Sequence, residues 1–490
     1  MKLLKNIAIG LVALASLSAC SSDYLDTEYT RYLGQEEAAE AAGQNPDVFL
    51  NGMWSWMVRY EGRHDHYGIY SIFMDTQVMG EDIAFQTSSW YNYDYQLDYR
   101  DEPYVRTSSF WTNLYTLIAK ANEVISLYPE GATTDAQKAL LGQAYAIRGM
   151  SYYYLVQIYQ DYLNEDGTFK RAAAGVPIYY NSADGKSDEE MDAAKGRNTV
   201  GDVLDVAQSD LEKAVSLLTE AKYVRPSKNY IDASVANGLL ARYYLLTQQW
   251  DKAAAAANTA RQGYTIMGNS DLHAGFNSVS NSEWMWGFNH TTETVTSYAS
   301  LFSHLASSGP GYGRNYPFLI DARLYSQIAD NDYRKTLFNG PNGDPSQPTT
   351  GGKKPYANQK FLYNTDWLCD YPYMRSSEMV LIEAEAYAHL NNGTKAAEVL
   401  KELMVNRQPD WNKAIVSVDD VYLQRRIELW GEGFTFFDLK RLNKGINRNY
   451  EGSNHNYKFV VPAHDLRWTF QLPRSEMQEN THIDASEQNP

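Results

Sequence analysis

The stretch Tyr230–Tyr264, YIDASVANGLLARYYLLTQQWDKAAAAANTARQGY, decides the fold. It reads as two antiparallel helices joined by a tight turn. Asp232 offers a capping side chain to the first helix. Val235, Leu239, Tyr243 and Leu246 follow at steps of four, four and three, which places them on one helical face. Gln248 and Gln249 make the bend. Ala253, Ala257 and Ala260 line the second helix, where small side chains let two backbones approach closely. Gly263 stands where a C-terminal glycine cap is expected. Ala241, Tyr244, Trp250, Ala253, Ala257 and Ala260 also fit the small-and-aromatic spacing of a tetratricopeptide (TPR) hairpin, a unit of about 34 residues. A single hairpin of this kind cannot bury its apolar face, so the rest of the chain is expected to supply stacked neighbours.

Working outward, those neighbours are visible. Leu114, Ile118, Ala121 and Ile125 make one helical face, and Leu140, Ala144, Ile147, Ser151, Tyr154 and Ile158 another. Pro129, Gly131 and the capping candidate Asp135 separate them. Asp161–Arg197 reads as a long polar connection. Thr199 and Asp202 form a capping-box variant ahead of Leu204, Ala207, Leu211, Ala214 and Leu218. Beyond the central hairpin, Met267–Pro372 loses helical period; Gly, Ser, Asn, Pro and aromatic residues dominate. A stretch of that length inside a compact domain is functional or has its own fold. Helix returns with Met379, Ile382, Ala386 and Leu390. Asn391-Asn392-Gly393 then turns the chain, Thr394 caps, and Ala397, Leu400 and Met404 line the next helix. Ala384, Tyr387, Ala396 and Leu400 repeat the TPR-like spacing, so Met267–Pro372 reads as an insertion between stacked hairpins. Nearer the start, Glu36–Ala42 and Val48–Arg59 read as short helices split by the turn signal Asn45-Pro46-Asp47.

The 490 residues are 44% hydrophobic and include 39 Tyr and 11 Trp, side chains that suit both a helical core and a ligand surface. A formal charge of -17 argues against nucleic acid, whose binding depends on phosphate neutralisation. It favours a neutral ligand or a protein partner. The two cysteines, Cys20 and Cys369, build no disulfide framework. Cys369 reads as a buried apolar residue. Met1–Ala19 has a Lys2/Lys5 start and an Ile7–Leu17 apolar run too short to span a bilayer, the pattern of a secretory signal peptide. Its end, Leu17-Ser18-Ala19-Cys20, resembles the lipobox of bacterial lipoproteins. That likeness implies cleavage before Cys20 and acylation of its new N-terminus, a firm membrane anchor. The acidic segment SSDYLDTEYT then resembles the tether and surface-export signal of Bacteroidetes lipoproteins. No second hydrophobic stretch reads as a membrane span, so the body is expected to be soluble and tethered.

Gln424–Arg441, QRRIELWGEGFTFFDLKR, carries the most specific signal. On its own chemistry, Arg425 and Arg426 start a helix, Ile427 and Trp430 pack, Gly431 and Gly433 break it, and Asp438 is available to an arginine. The stretch resembles the C-terminal signature of the SusD/RagB family through Arg425, Arg426, Glu428, Leu429, Gly431, Glu432, Gly433, Phe437, Asp438, Leu439 and Arg441. Gln424 stands where that family usually has Glu, and Phe434-Thr435-Phe436 replaces His-Arg-Trp. Leu472–Met477 and the closing Gln488-Asn489-Pro490 are similar to the family's tail. The resemblance implies a mainly α, SusD-like fold, with a TPR-like scaffold and a loop-rich irregular lobe. It implies a signal peptide over 1–19 and one domain over 20–490, with scaffold at about 36–266 and 373–445 and ligand lobe at about 267–372. It also implies a surface lipoprotein of the outer membrane, anchored through Cys20, without catalytic activity. Such a protein delivers nutrient glycans, or in some members peptides or other nutrients, to a SusC-like TonB-dependent transporter. No cofactor is implied.

Sugar rings present apolar faces to aromatic side chains, with Asn, Arg and Asp left to bond the hydroxyls. Ser88–Tyr99, SSWYNYDYQLDY, has no helical period and too many aromatics for an ordinary loop. Trp90, Tyr91 and Asn92 lie where the family often places ligand residues, and Trp284, Trp286, Tyr312 and Arg314 lie in the irregular lobe that usually supplies the rest. His64-Asp65-His66 could bind a metal, but nothing nearby completes a closed site, so surface histidines are expected. A glycoside hydrolase would need two positioned carboxylates. Glu383 and Glu385 point apart on a helix and read as exposed or pairing residues. No Gly-x-Ser-x-Gly elbow, His-Glu-x-x-His pair or P-loop occurs, and Gly309, Gly311 and Gly313 form only a weak repeat. A pure TPR adaptor would explain the hairpins but not the aromatic-rich insertion.

Overall fold

A computed structural model of the chain describes residues 40–42, 45–87, 89–295 and 298–490. The signal peptide, Cys20, the tether and most of the expected first helix lie outside these residues. Glu40–Ala42 form a helical turn. Residues 46–490 group into one compact unit.

The long helices follow the apolar periodicities. They are α1 (Asp47–Val58), α2 (Ile69–Met79), α3 (Val105–Ser126), α4 (Asp135–Tyr159), α5 (Val200–Glu220), α6 (Ala233–Leu246) and α7 (Trp250–Ala260), then α8 (Ser376–His389), α9 (Gly393–Met404), α10 (Val418–Glu428) and α11 (Thr435–Arg441). From α3 to α9 each helix packs on the next, a continuous stack of antiparallel hairpins. The central hairpin has the expected local chemistry. Asp232 Oδ1 accepts from the Val235 amide at 2.9 Å, and Gln248 takes a left-handed φ of 60° at the bend. Ala253, Ala257 and Ala260 are fully buried between α7 and its neighbours. Thr199 and Asp202 form a reciprocal capping box on α5.

Three local expectations are corrected. Thr134, not Asp135, caps α4, with Gln137 completing the box. Asn392, not Thr394, caps α9. Arg425 and Arg426 end α10 rather than start it; Ser417 is its cap.

The stack is unbroken across the insertion: α7 packs against α8 although more than a hundred residues separate them in sequence. The inserted segment is not wholly irregular. Strand β2 (Trp284–Phe288) pairs antiparallel with β4 (Tyr371–Arg375), with Trp284 opposite Arg375 and Phe288 opposite Tyr371. The chain then passes from Arg375 directly into α8. A smaller pair, β1 (Ile83–Ala84) with β3 (Leu319–Ile320), ties the segment after α2 to the insertion.

A buried ionic cluster fastens the insertion to the stack. Arg375 Nε and Nη2 each reach Glu432 at 2.8 Å, and its Nη1 meets Glu283 and Glu428. Arg407 holds Glu428 at 2.8 and 2.9 Å, Lys360 Nζ donates to Glu432 at 2.6 Å, and Arg334 pairs with Asp332 and Glu428. Four cations thus face four carboxylates, all buried. Burial alone would raise the Glu428 carboxyl, but Arg407, Arg375 and Arg334 hold it well below the usual carboxylate range. Beside it, Asp438 accepts from Arg425 and Arg441, while Glu385 pairs with Arg441 and Glu383 with Arg261. Both glutamates are buried pairing residues, not exposed ones.

Candidate functional site

The loop before residue 92 and the insertion meet at an aromatic cleft of about 410 Å³. Trp90, 40% exposed, forms one wall. Its indole stands edge-on to the Tyr312 ring at 5.8 Å and lies 5.3 Å from the His64 ring. His64 Nδ1 is hydrogen-bonded to Tyr312 Oη, and His304 stacks on the Tyr312 ring at 4.9 Å and 14°. The rings continue outward. Tyr298, half exposed, meets Tyr312 at 5.9 Å, and Trp367 lies 5.4 Å from Tyr298. On the near side Tyr93, Tyr99 and Tyr104 stack nearly parallel at 5.3 and 4.8 Å. The result is a partly exposed arc of aromatic faces.

Local structure explains why these rings stay in place. Tyr91 is fully buried and bonded to Tyr67 through their hydroxyls at 2.7 Å, so the loop is pinned one residue past Trp90. The short helix Asn92–Gln96 is pinned again by Asp94, both of whose oxygens accept from Arg106 at 2.7 and 2.8 Å. Tyr312 starts a helical turn that lies against the short helix Leu301–Leu305. A Cβ at Gly311 would meet Ser303 O at 2.5 Å, and one at Gly313 would meet Ala306 O at 2.6 Å. The weak glycine repeat is therefore a close-packing device. Asp366 and Trp367 both take left-handed φ, 59° and 63°, an uncommon strain for bulky residues and one that clusters at ligand sites.

The cleft floor is ionic. Arg106 also donates to Asp65 at 2.8 Å, and Arg63 bonds the same carboxylate at 3.2 and 3.3 Å. Burial alone would raise the Asp65 carboxyl, but Arg106 holds it well below the usual range. Asp75 lies 2.8 Å from Arg106 Nη1 but out of line for a hydrogen bond, and burial pushes its carboxyl well above the usual range. His66 is buried, not a surface histidine, and burial lowers it to about 4. Among the described residues no group of three or more ligand side chains is placed to hold a metal ion.

Of the seven ligand candidates read from sequence, Trp90 and Tyr312 come together. Asn92 opens the pinned helix, and Arg314 is exposed two residues past Tyr312. Tyr91, Trp284 and Trp286 are corrected: all are at most 1% exposed and present no face to a ligand. Both tryptophans lie in β2, where every residue is buried; Trp286 Nε1 donates to Asn229 O and its ring packs on Trp54 and Tyr373. Sequence reasoning missed His64, Tyr298 and Trp367 as members of the arc. Tyr298 and Trp367 showed only as aromatic content in a non-periodic segment, and His64 only as part of the His64-Asp65-His66 triplet.

Two family models match successive parts of the chain. One, described as "Starch-binding associating with outer membrane", matches residues 23–245, and the other, "SusD family", matches residues 321–490. The chain belongs to the SusD/RagB family. A SusD-like protein, P38, of Formosa agariphila is 24% identical over 403 residues, 69% of this chain and 72% of that protein. The structure of a SusD-like carbohydrate binding protein from Bacteroides vulgatus superposes with a TM-score of 0.78 at 24% identity, over 91% of this chain and 98% of that one. A laminarin binding SusD-like protein superposes with a TM-score of 0.65 at 18% identity, over 91% and 99%. In this SusD/RagB chain the C-terminal signature is a fastening. Glu428 and Glu432 anchor the insertion, and Gln424, at the variant position, accepts from Arg334 at 2.6 Å. Among the described residues no helix is long and apolar enough to cross a membrane.

Proposed function

We propose that this protein captures neutral glycan chains on the Trp90–Tyr312 cleft and passes them to a SusC-like TonB-dependent transporter, without cleaving them. The observation that carries the reading is an exposed Trp90 that, edge-on to Tyr312, lines an open cleft together with Tyr93, Tyr99 and Tyr316. Aromatic faces accept the C–H faces of sugar rings, while Ser89, Arg63 and the Tyr316 hydroxyl are at hand for sugar hydroxyls. Laminarin, in the name of one structural neighbour, is a neutral glucan and supports the class. The lining carboxylate Asp94 and Asp65 behind it are both bonded to Arg106, which suits a supporting role better than acid–base work. Anchoring at the outer membrane through Cys20 belongs to the same reading.

The test is titration calorimetry of the chain lacking residues 1–20 against a panel of oligosaccharides and peptides. Binding of at least one glycan is expected, with no product after prolonged incubation. Binding of peptides alone would move the reading to another nutrient, and reproducible cleavage would replace it with a glycoside hydrolase. Co-purification with a SusC-like transporter from outer-membrane extracts checks the partner.

A further inference from the structure

A second aromatic opening lies along α3, away from the Trp90 cleft. The α3 residues 111–126 and the segment around 179–181 enclose a groove of about 600 Å³, larger than the first. The Trp111 and Tyr115 rings are 4.6 Å apart, and Tyr179 meets Tyr115 edge-on at 5.5 Å. The walls are held from behind. Tyr115 Oη donates to Pro177 O at 2.8 Å, and Asn122 Nδ2 donates to Tyr179 O at 2.7 Å. Asn122 Oδ1 accepts from Arg148 at 2.7 Å, and Arg148 is itself buried and paired with Asp184 and Asp210. On the rim, among the described residues, the Glu123 carboxylate has no hydrogen bond or ion pair, and the Tyr179 and Tyr180 hydroxyls have no hydrogen bond.

This lining selects its ligand. A groove for a partner helix presents aliphatic anchors, whereas here only Ile118 and Ala119 are aliphatic. Rigid rings edged by unengaged hydroxyl and carboxylate groups match a molecule with apolar faces and many hydroxyls. Its two charged lining groups, Glu123 and Glu476, are both acids, which disfavours anions. We propose that the α3 groove is a second carbohydrate site, taking neutral oligosaccharide independently of the Trp90 cleft. The inference rests on the glycan-capture reading above. One helix contributes to both places. Arg106, in the first turn of α3, supports the cleft floor, and the groove follows from Trp111 onward. A polysaccharide long enough to reach both is held by avidity.

Hydrogen exchange with mass spectrometry on the full-length protein in detergent reads each site separately. The probes are maltoheptaose, cellohexaose, laminarihexaose and xylohexaose, each added alone. Slowed exchange in residues 111–126 and 177–181 with at least one probe is expected. It persists in Trp90→Ala and is lost in Tyr179→Ala, which keeps the protection of residues 89–99. For the matching long polymer, Tyr179→Ala should lose roughly tenfold or more in apparent affinity. Unchanged exchange at the groove with every probe overturns the proposal. So does groove protection that vanishes with Trp90→Ala. Loss of protection at 89–99 alone, with the groove still responding, counts against the first reading and not against this one.

Discussion

Trp90 and Trp284 are the same residue type with opposite fates, and the difference is the backbone each sits on. Trp284 belongs to a strand buried along its whole length, whereas Trp90 lies in a loop pinned by Tyr91 and Asp94. Trp90→Ala is therefore expected to weaken glycan binding by about 1–3 kcal/mol, by analogy with base stacking, and to leave the melting temperature unchanged. Trp284→Ala is expected to cost about 3–5 kcal/mol of stability through the cavity it leaves, read by urea denaturation. Three buried histidines contribute to the acid response. Burial lowers His66, His290 and His304 to about 4, below the ordinary 6.5. Between those values the unfolded chain binds more protons than the folded one. Their share of the stability is thus complete above pH 6.5 and is lost toward pH 4, by about 1.4 kcal/mol per pH unit for each histidine. Thermal melts from pH 7 to 4.5 check this, and His290→Phe should remove one histidine's share of the slope.

At the scale of elements, the signature around Glu428 holds two parts of the fold together. Glu428→Gln would leave Arg407, Arg375 and Arg334 sharing too little negative charge, at a cost of about 3–5 kcal/mol by denaturant titration. Gly433 has a φ of 93°, and a Cβ there would meet Phe73 Cβ at 2.4 Å, so Gly433→Ala should destabilise as well. The hairpins were legible in the sequence because their apolar positions follow the helical period, and Asp232 and Thr199 were legible as caps. Thr134 and Asn392 were missed in favour of residues one or two places on. Neighbouring polar side chains offer the same oxygen to the same amides, and only backbone angles choose between them. The β2–β4 pair was illegible for another reason. A strand buried on both faces shows no alternation, and its partner lies more than eighty residues away.

At the scale of the molecule, the arc draws on His64, Trp90, Tyr298, Tyr312 and Trp367, which only the finished fold brings together. Sequence reading reached Trp90 and Tyr312 through resemblance and aromatic density; no local pattern links residue 64 to residue 312. Anchoring is tested at this scale too. Cys20→Ala should move the protein from the membrane fraction to the soluble one, and retention in membranes would contradict the lipoprotein reading. The direct contact between α7 and α8 has one more consequence. The long excursion between them leaves and rejoins the stack at neighbouring points, and it brings Tyr298, Tyr312 and Trp367 while Trp90 stays behind. Half of the proposed recognition surface is therefore a cassette. On the proposed reading, a foreign insert that ends in a strand like β4 and offers cations to Glu428 and Glu432 would exchange that half of the surface while the tower of helices folds as before.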